Sequence, residues 1–459
     1  MAFEAKAPHT EWEEFLRGHP ETRFVDSFVI GITGQVYGKR ESAKDLDRIF
    51  RSGVSFSECA PLLDVHGHGH DAQGYGSTDG DPDSIGLPIP GSLVPVPWSG
   101  APTAQCLLDM RNVLSGEPLW FDPRKILSDV VASLHAEGLY PVVACELEFY
   151  LIDSERTAKG GIQPARLKRT SAAPHAPQNL SLEAVEEYSD FVIAVERASV
   201  LQNIPATTAV AEYGLGQFEI NLHHVNDPVL AADQAVLLKR IIRGVARAQG
   251  NDVTFMGKPY IDQPGSGLHI HVSLCDKDGD NLFGHEGGEA LLHHAIAGMQ
   301  ASFAEAMALF APNFSAYRRL TPHNFVPVNA HWGHNNRSVA LRIPLGDDAS
   351  KRIEHRAASA DASPHIVLAA VLAGLHHGIR EKLKPSKPIN LSRADEIKPP
   401  AGLPKMPTHF LAALEALEKA RILSRFIPAR FLKAYSEVKL GEYVELFAEP
   451  NAREFDYYL

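Results

Sequence analysis

The sequence predicts an α+β fold: a small β-rich domain over residues 1–118, then a larger domain over residues 119–459 built on a largely antiparallel, polar-faced sheet flanked by helices. Three observations lead there. ACELEFYLID (Ala144–Asp153), GQFEINL and LHIHVSL alternate apolar and polar residues with the period of two that a one-sided strand requires. Behind the Asp122-Pro123 helix start, Ile126, Leu127, Val130, Val131 and Leu134 recur at helical spacing. Ahead of that break, at SGEPLWFDP, short β-prone runs are separated by turn residues.

In chain order, MAFEAKAPHTEWEEF has no basic stretch leading into an apolar core, so no secretory signal is expected. VDSFVIGITGQVYG reads as two short strands joined through Gly31 and Gly34. In ACELEFYLID, Cys145, Leu147, Phe149 and Leu151 make an apolar face while Glu146 and Glu148 point together the other way. Such neighbours lie about 6.5–7 Å apart, and like charges that near repel unless water or a cation stands between them. One solvated edge strand would also account for that pair. The pattern repeats, however. Gln217, Glu219 and Asn221 share a face, as do His269, His271 and Ser273; SVALRIP places Ser338 with Arg342, and RIEHRA places Arg352 with Glu354 and Arg356. Strands whose polar faces carry Glu, His and Arg predict a sheet lining a shared cavity. Polar connections run from Asp153 to Ser181 and around Pro399. Ser363 and Pro364 open a buried helix whose apolar core, Ile366 to Leu375, is too short to span a bilayer.

Acidic residues outnumber basic ones by 56 to 44 with no long run of like charge, which argues against a nucleic-acid or membrane surface and for small-molecule partners. Cys59, Cys106, Cys145 and Cys275 lie far apart with no CxxC pair, as expected of reduced thiols in a cytoplasmic protein.

The polar residues narrow the chemistry. Glu146, Glu148, Glu212, Glu219 and Glu354 with His269 form an oxygen-rich donor set suited to Mg²⁺ or Mn²⁺ rather than zinc. Arg319, Arg337, Arg342, Arg352 and Arg356 add guanidinium forks suited to phosphate and carboxylate oxygens. Together they point to phosphoryl transfer from a nucleotide. TGQVYGKR fails as a P-loop, because Thr33 replaces its first glycine and Arg40 its magnesium-binding hydroxyl. Gly67/Gly69 and Gly214/Gly216 read as turn glycines. The DxHxH pattern of Asp64, His66 and His68 resembles a metal strand of the amidohydrolase barrels, but that fold requires continuously apolar parallel strands, and these segments alternate.

CELEFY, AEYGLGQFEINL, GSGLHIHVSL, YRRL, NNRSVALRIP and RIEHRAASADASPH, in that order, resemble the motifs of the glutamine synthetases, and the likeness runs from about Phe24 to the final EFDYYL. The resemblance implies a β-grasp domain before the catalytic domain, and two or three Mg²⁺ or Mn²⁺ ions per site. Glu148, Glu212 and Glu219 would hold the metal nearer the substrate; Glu146, His269 and Glu354 would hold the one nearer the ATP phosphates. His271 and Ser273 would lie toward the nucleotide, Arg337, Arg342 and Arg352 would meet phosphate oxygens, and Arg319 and Arg356 would take the carboxylates of glutamate beside Gly265. It further implies sites shared between neighbouring subunits of two stacked hexamers, clasped by a C-terminal helix.

The departures from that family matter as much. Phe325 stands where glutamine synthetases carry a flap glutamate that deprotonates ammonium, and His323 and Asn324 do not restore it. Pro264 replaces an asparagine, and Ser392 a tyrosine. WGHNNR and Ala360–Pro364 resemble the γ-glutamylpolyamine and γ-glutamylalkylamide synthetases instead. The expectation is therefore an ATP-dependent ligase joining the γ-carboxylate of glutamate to a primary amine, such as putrescine or an alkylamine, through γ-glutamyl phosphate. Ammonium-using glutamine synthetase is the alternative. Asp64, with His66 nearby, would draw in the amine, or else merely cap a turn.

Overall fold

A computed structural model describes residues 10–322 and 325–459, so His323 and Asn324 lie outside the described residues. Helix α1 (Glu11–Gly18) precedes β1 (Phe24–Ile30) and β2 (Val36–Ser42), an antiparallel pair whose turn puts Gly34 at φ +78° and lets the Gly31 N–H donate to the Gln35 carbonyl at 2.8 Å. After α2 (Leu46–Ser52) come β3 (Val54–Ser57), β4 (Asp83–Pro88), β5 (Val94–Pro95) and β6 (Thr103–Arg111). They complete a six-stranded sheet of order β2-β1-β6-β4-β3 with β5 against β6, in which β1 and β6 run parallel.

Helix α3 (Pro123–His135) buries Ile126, Leu127, Val130, Val131 and Leu134, the residues whose spacing predicts it. Asp122 caps it, accepting from the Arg124 and Lys125 N–H groups. Burial, aided by the charge of Asp109, pushes the Asp122 carboxyl up to about 7. An acid whose folded value is raised binds its proton more tightly when native, so stability falls as pH rises from the unfolded value near 4 to about 7. Asp122→Asn keeps a good cap and is expected to flatten that slope in urea melts between pH 4 and 8; an unchanged slope would refute it.

The remaining elements build the second sheet. Strand β7 (Tyr140–Asp153) is followed by α4 (Leu182–Glu187), α5 (Ser189–Leu201), β8 (Ala206–Ala211), β9 (Gln217–Leu222), α6 (Pro228–Ala248) and β10 (Asn251–Thr254). Then come β11 (Leu268–Cys275), α7 (Gly288–Phe310), α8 (Phe314–Tyr317), β12 (Trp332–His334), β13 (Leu341–Ile343) and β14 (Ile353–His355). The order is β12-β13-β14-β11-β7-β9-β8 with β10 on β7, and within this sheet, among the described residues, only the β12–β13 pair is parallel. Cys145, Leu147, Phe149 and Leu151 are fully buried, as the alternation predicts. Ser338 departs from expectation: it lies outside β13, because Asn336 Oδ1 accepts from both its N–H and its hydroxyl in a local turn that competes with the strand.

Helices α9 (Pro364–Arg380), α10 (Phe410–Glu418), α11 (Ala429–Leu446) and α12 (Ala452–Tyr458) close the chain. α9 crosses α7 so tightly that a Cβ on Gly374 would stand 2.4 Å from Ser302 Oγ and 3.2 Å from Met299 Cα, which explains the glycine interrupting the apolar run. Ser363 occupies the N-cap position of α9 without forming a side-chain cap bond. No described helix is long and apolar enough to cross a membrane, and the four cysteines are buried free thiols.

Candidate active site

Strand pairing sets the polar residues side by side. Across β7 and β9, Glu148 faces Glu219; across β7 and β11, Glu146 faces His269; across β11 and β14, His271 faces Glu354, which in turn faces Arg342 on β13. The result is one continuous belt over five strands. Like charges directly opposite each other destabilise a sheet, so the Glu148–Glu219 pair calls for a positive charge between them.

Glu148, Glu212 and Glu219 bring one carboxylate oxygen each within 4.8 Å of one another. Burial pushes Glu219 up to about 9, helped by Glu146, Glu148 and Glu212, and burial with Glu148 pushes Glu212 up to about 7. Such a cluster holds protons unless a cation neutralises it, and its all-oxygen donors suit Mg²⁺ or Mn²⁺. Adding Mg²⁺ near pH 7.5 is therefore expected to release about one proton per subunit, read as a dependence of binding heat on buffer ionisation enthalpy. Buffer-independent heat would sink that reading.

The second expected ligand set is arranged differently. Glu146 groups with His269 and Glu219, and separately with His271 and Glu354, so Glu146, His269 and Glu354 do not gather as one triad. Glu146 is shared: its carboxylate lies 3.2 Å from His269 Nδ1 and 2.8 Å from His271 Nε2. Burial alone would raise its pKa, but the two imidazoles outweigh that and hold it well below the usual range. Arg352 Nε donates to His271 Nδ1 at 3.1 Å, which leaves Nε2 as the proton-bearing nitrogen facing Glu146. Ser273 follows on the same face, half-buried.

The arginines divide by burial. Arg319 is buried and donates to the carbonyls of Ala357 (2.9 Å) and Arg356 (3.3 Å), and burial pushes it down to about 10. Its stem fills the space a side chain at Gly265 would need, since a Cβ there would lie 2.6 Å from Arg319 Cγ. Arg342 donates to Glu354 at 2.7 Å and to Asn335 at 3.0 Å, and Arg356 contacts the other Glu354 oxygen. The Nε atoms of Arg319, Arg342 and Arg356 are buried without a hydrogen-bond partner among the described residues, so each keeps a donor free. Arg337 is exposed and stabilises the Glu212 carboxylate.

Two expected residues stand apart. Asp64 is fully buried and caps its own turn: Oδ1 accepts from the His66 and His68 N–H groups, and Oδ2 lies 2.8 Å from His70 Nε2. Phe325 is 57% exposed at φ +54°, with the Arg393 guanidinium 5.0 Å from its ring centre.

Sequence alone leaves Tyr150 unassigned and gives Gln217 a polar face but no role. Tyr150 donates its hydroxyl to the Pro264 carbonyl (2.7 Å) and Gln217 its amide to the Gly265 carbonyl (3.1 Å), pinning the glycine loop, while the Gly267 N–H donates to Glu148 at 2.7 Å. Tyr150 and Gln217 pair across the strands, so the alternation carried one step further along β7 points to the former.

Comparison with known proteins agrees with this geometry. The family model described as glutamine synthetase, catalytic domain, matches residues 121–458. The chain is 37% identical to the gamma-glutamylputrescine synthetase PuuA of Escherichia coli (strain K12), over 95% of this chain and 91% of that one. It is 29% identical to the glutamate–isopropylamine ligase of a Pseudomonas species, over 100% and 99%. A solved structure titled apo GmaS without ligand superposes with a TM-score of 0.83 at 24% identity, covering 98% of this chain and 99% of that one, a likeness of fold. With three quarters of its length matched by that model and its carboxylate belt in place, the chain belongs to the glutamine synthetase family.

Proposed function

We propose that the protein is an ATP-dependent ligase joining the γ-carboxylate of glutamate to a primary amine. The observation that carries this is the carboxylate belt beside buried, partly unpartnered guanidiniums, combined with an aromatic ring at position 325. The names of the E. coli and Pseudomonas relatives, both amine ligases, favour an alkylamine or polyamine over ammonium.

In this reading Arg319 and Arg356 hold the glutamate carboxylates beside Gly265, and Arg337, Arg342 and Arg352 meet the ATP phosphates, with His271 and Ser273 toward the nucleotide. A γ-carboxylate oxygen attacks the γ-phosphorus and the bridging oxygen leaves with ADP. The neutral amine nitrogen then attacks the acyl carbon and expels phosphate, which takes up the proton the nitrogen sheds. Two or three divalent ions held by Glu146, Glu148, Glu212, Glu219, His269 and Glu354 would neutralise phosphate charge when bound. The 1–118 and 119–459 domain division, a cytoplasmic location and a dodecamer of stacked hexamers complete the proposal. Asp64 would serve a neighbouring subunit's amine site by shaping its loop, since its own carboxylate is spent on the turn.

Phosphate release from ATP with glutamate and Mg²⁺ tests the function across ammonium, methylamine, ethanolamine, putrescine and spermidine. Preference for ammonium would return the chain to glutamine synthetase. Deleting residues 452–459, which contain α12, is expected to lower the sedimentation coefficient of the assembly; full-length sedimentation would deny the helix a clasping role.

A further inference from the structure

A cavity of about 740 Å³, lined by none of the belt residues, lies between α6, the β1–β2 turn, Trp98 and Asp361. Helix α6 presents Lys239, Arg243 and Arg247 to it at successive i, i+4 positions, with Arg240 beside them. Like charges at that spacing repel, and Arg243 and Arg247 each disfavour the charge of the neighbour before them in the row. Three of the four cations are occupied. Arg240 donates to Asp26 at 2.9 Å and Gln105 at 2.8 Å, Arg247 to Asp252 at 3.1 Å, and Lys239 to the Ala362 carbonyl at 3.0 Å. Arg243 makes no hydrogen bond among the described residues; its guanidinium stands 5.7 Å from the Phe255 ring centre. Against these cations the lining offers, among the described residues, a single carboxylate, Asp361.

The cavity wall is wired to the glutamate side of the belt. Asp361 Oδ2 accepts from the Gly257 N–H at 3.3 Å, and the Gly257 carbonyl accepts from the Ser266 N–H at 2.9 Å. That carbonyl also crowds Gly265, whose Cβ would stand 2.4 Å from it and 2.6 Å from Arg319 Cγ. An anion drawing on Lys239 or displacing Asp361 thus acts two contacts away from the loop that packs on Arg319.

We propose that this cavity binds a small anion carrying two or more negative groups, a phosphorylated or polycarboxylate metabolite, as an effector of glutamate binding. The binding claim stands apart from the identity of the amine; the effector claim rests on the proposed use of glutamate.

Titration calorimetry of the assembled full-length protein, without amine or ATP, with pyrophosphate and with citrate as separate arms at matched ionic strength, tests it and distinguishes phosphate from carboxylate ligands. Saturable binding is expected in at least one arm, weakened about tenfold or more by Arg243→Met or by Arg247→Glu at its exposed position, and retained in Arg352→Ala. The same anion should shift the glutamate KM of the wild type and not of Arg243→Met. No saturable binding in either arm overturns the proposal, as does binding lost in Arg352→Ala but kept in both α6 variants, which would place the anion at the belt. A glutamate KM indifferent to the bound anion overturns the effector role.

Discussion

Replacing His269 or Glu354 with alanine is expected to lower turnover about a thousandfold or more, the scale seen when a phosphoryl-transfer site loses one of its charge-neutralising groups. The two variants should fail for different reasons. His269 lies 3.2 Å from Glu146 and within 4.8 Å of Glu219, so its loss removes the nitrogen donor that separates two carboxylates. Glu354 is 1% exposed and holds Arg342 and Arg356 at its two oxygens. Burial would raise its pKa, but Arg356 and the two histidines pull it down to about 2. Its removal leaves two guanidiniums without their anion, a defect of about 3–5 kcal/mol when such a pair is buried. Glu354→Ala should therefore also lower the denaturation midpoint, whereas His269→Ala should leave it nearly unchanged. Phosphate release at saturating Mg²⁺ measures the first effect and urea unfolding the second. Near-wild-type turnover in either variant would remove the metal assignment.

Phe325→Glu is expected to raise kcat/KM for ammonium relative to the best amine by about tenfold or more, a change of roughly 1.4 kcal/mol. An alkyl chain gains about 0.8 kcal/mol for each methylene buried against a ring, and a carboxylate offers ammonium a charge and a proton acceptor instead. The structure adds a complication. Arg393, already 2.9 Å from Asp395, covers the Phe325 ring and would attract the new carboxylate away from substrate. The informative comparison is thus Phe325→Glu alone and combined with Arg393→Ala, the double variant showing the larger shift. Phe325 also holds a φ of +54°, a conformation costing a non-glycine residue about 1–2 kcal/mol. If the amine-to-ammonium ratio is unchanged in both variants, position 325 does not select the amine.

What the sequence determined alone is whatever depends on neighbours along the chain. The alternation in β7, β9 and β11 assigned each residue to a face, because Cβ direction in a strand reverses at every residue. Asp122-Pro123 marked the start of α3, because a cap and a preset φ act within one turn. The order of the acidic, histidine and arginine segments was enough to point to the family. Only the tertiary structure decided register. That Glu148 meets Glu219, that Glu146 is shared between two histidines, and that Tyr150 and Gln217 pin the glycine loop follow from strand pairing between distant segments. A period of two is the same for every register of that pairing. For Asp64 the sequence offers both a carboxylate that draws in the amine and a turn cap, and the structure shows the cap, because two backbone N–H groups and one imidazole meet it once the loop has turned. That the α6 cations line one cavity depends on the β1–β2 turn, Trp98 and Asp361 enclosing them, since enclosure is a property of packed elements and not of any one segment.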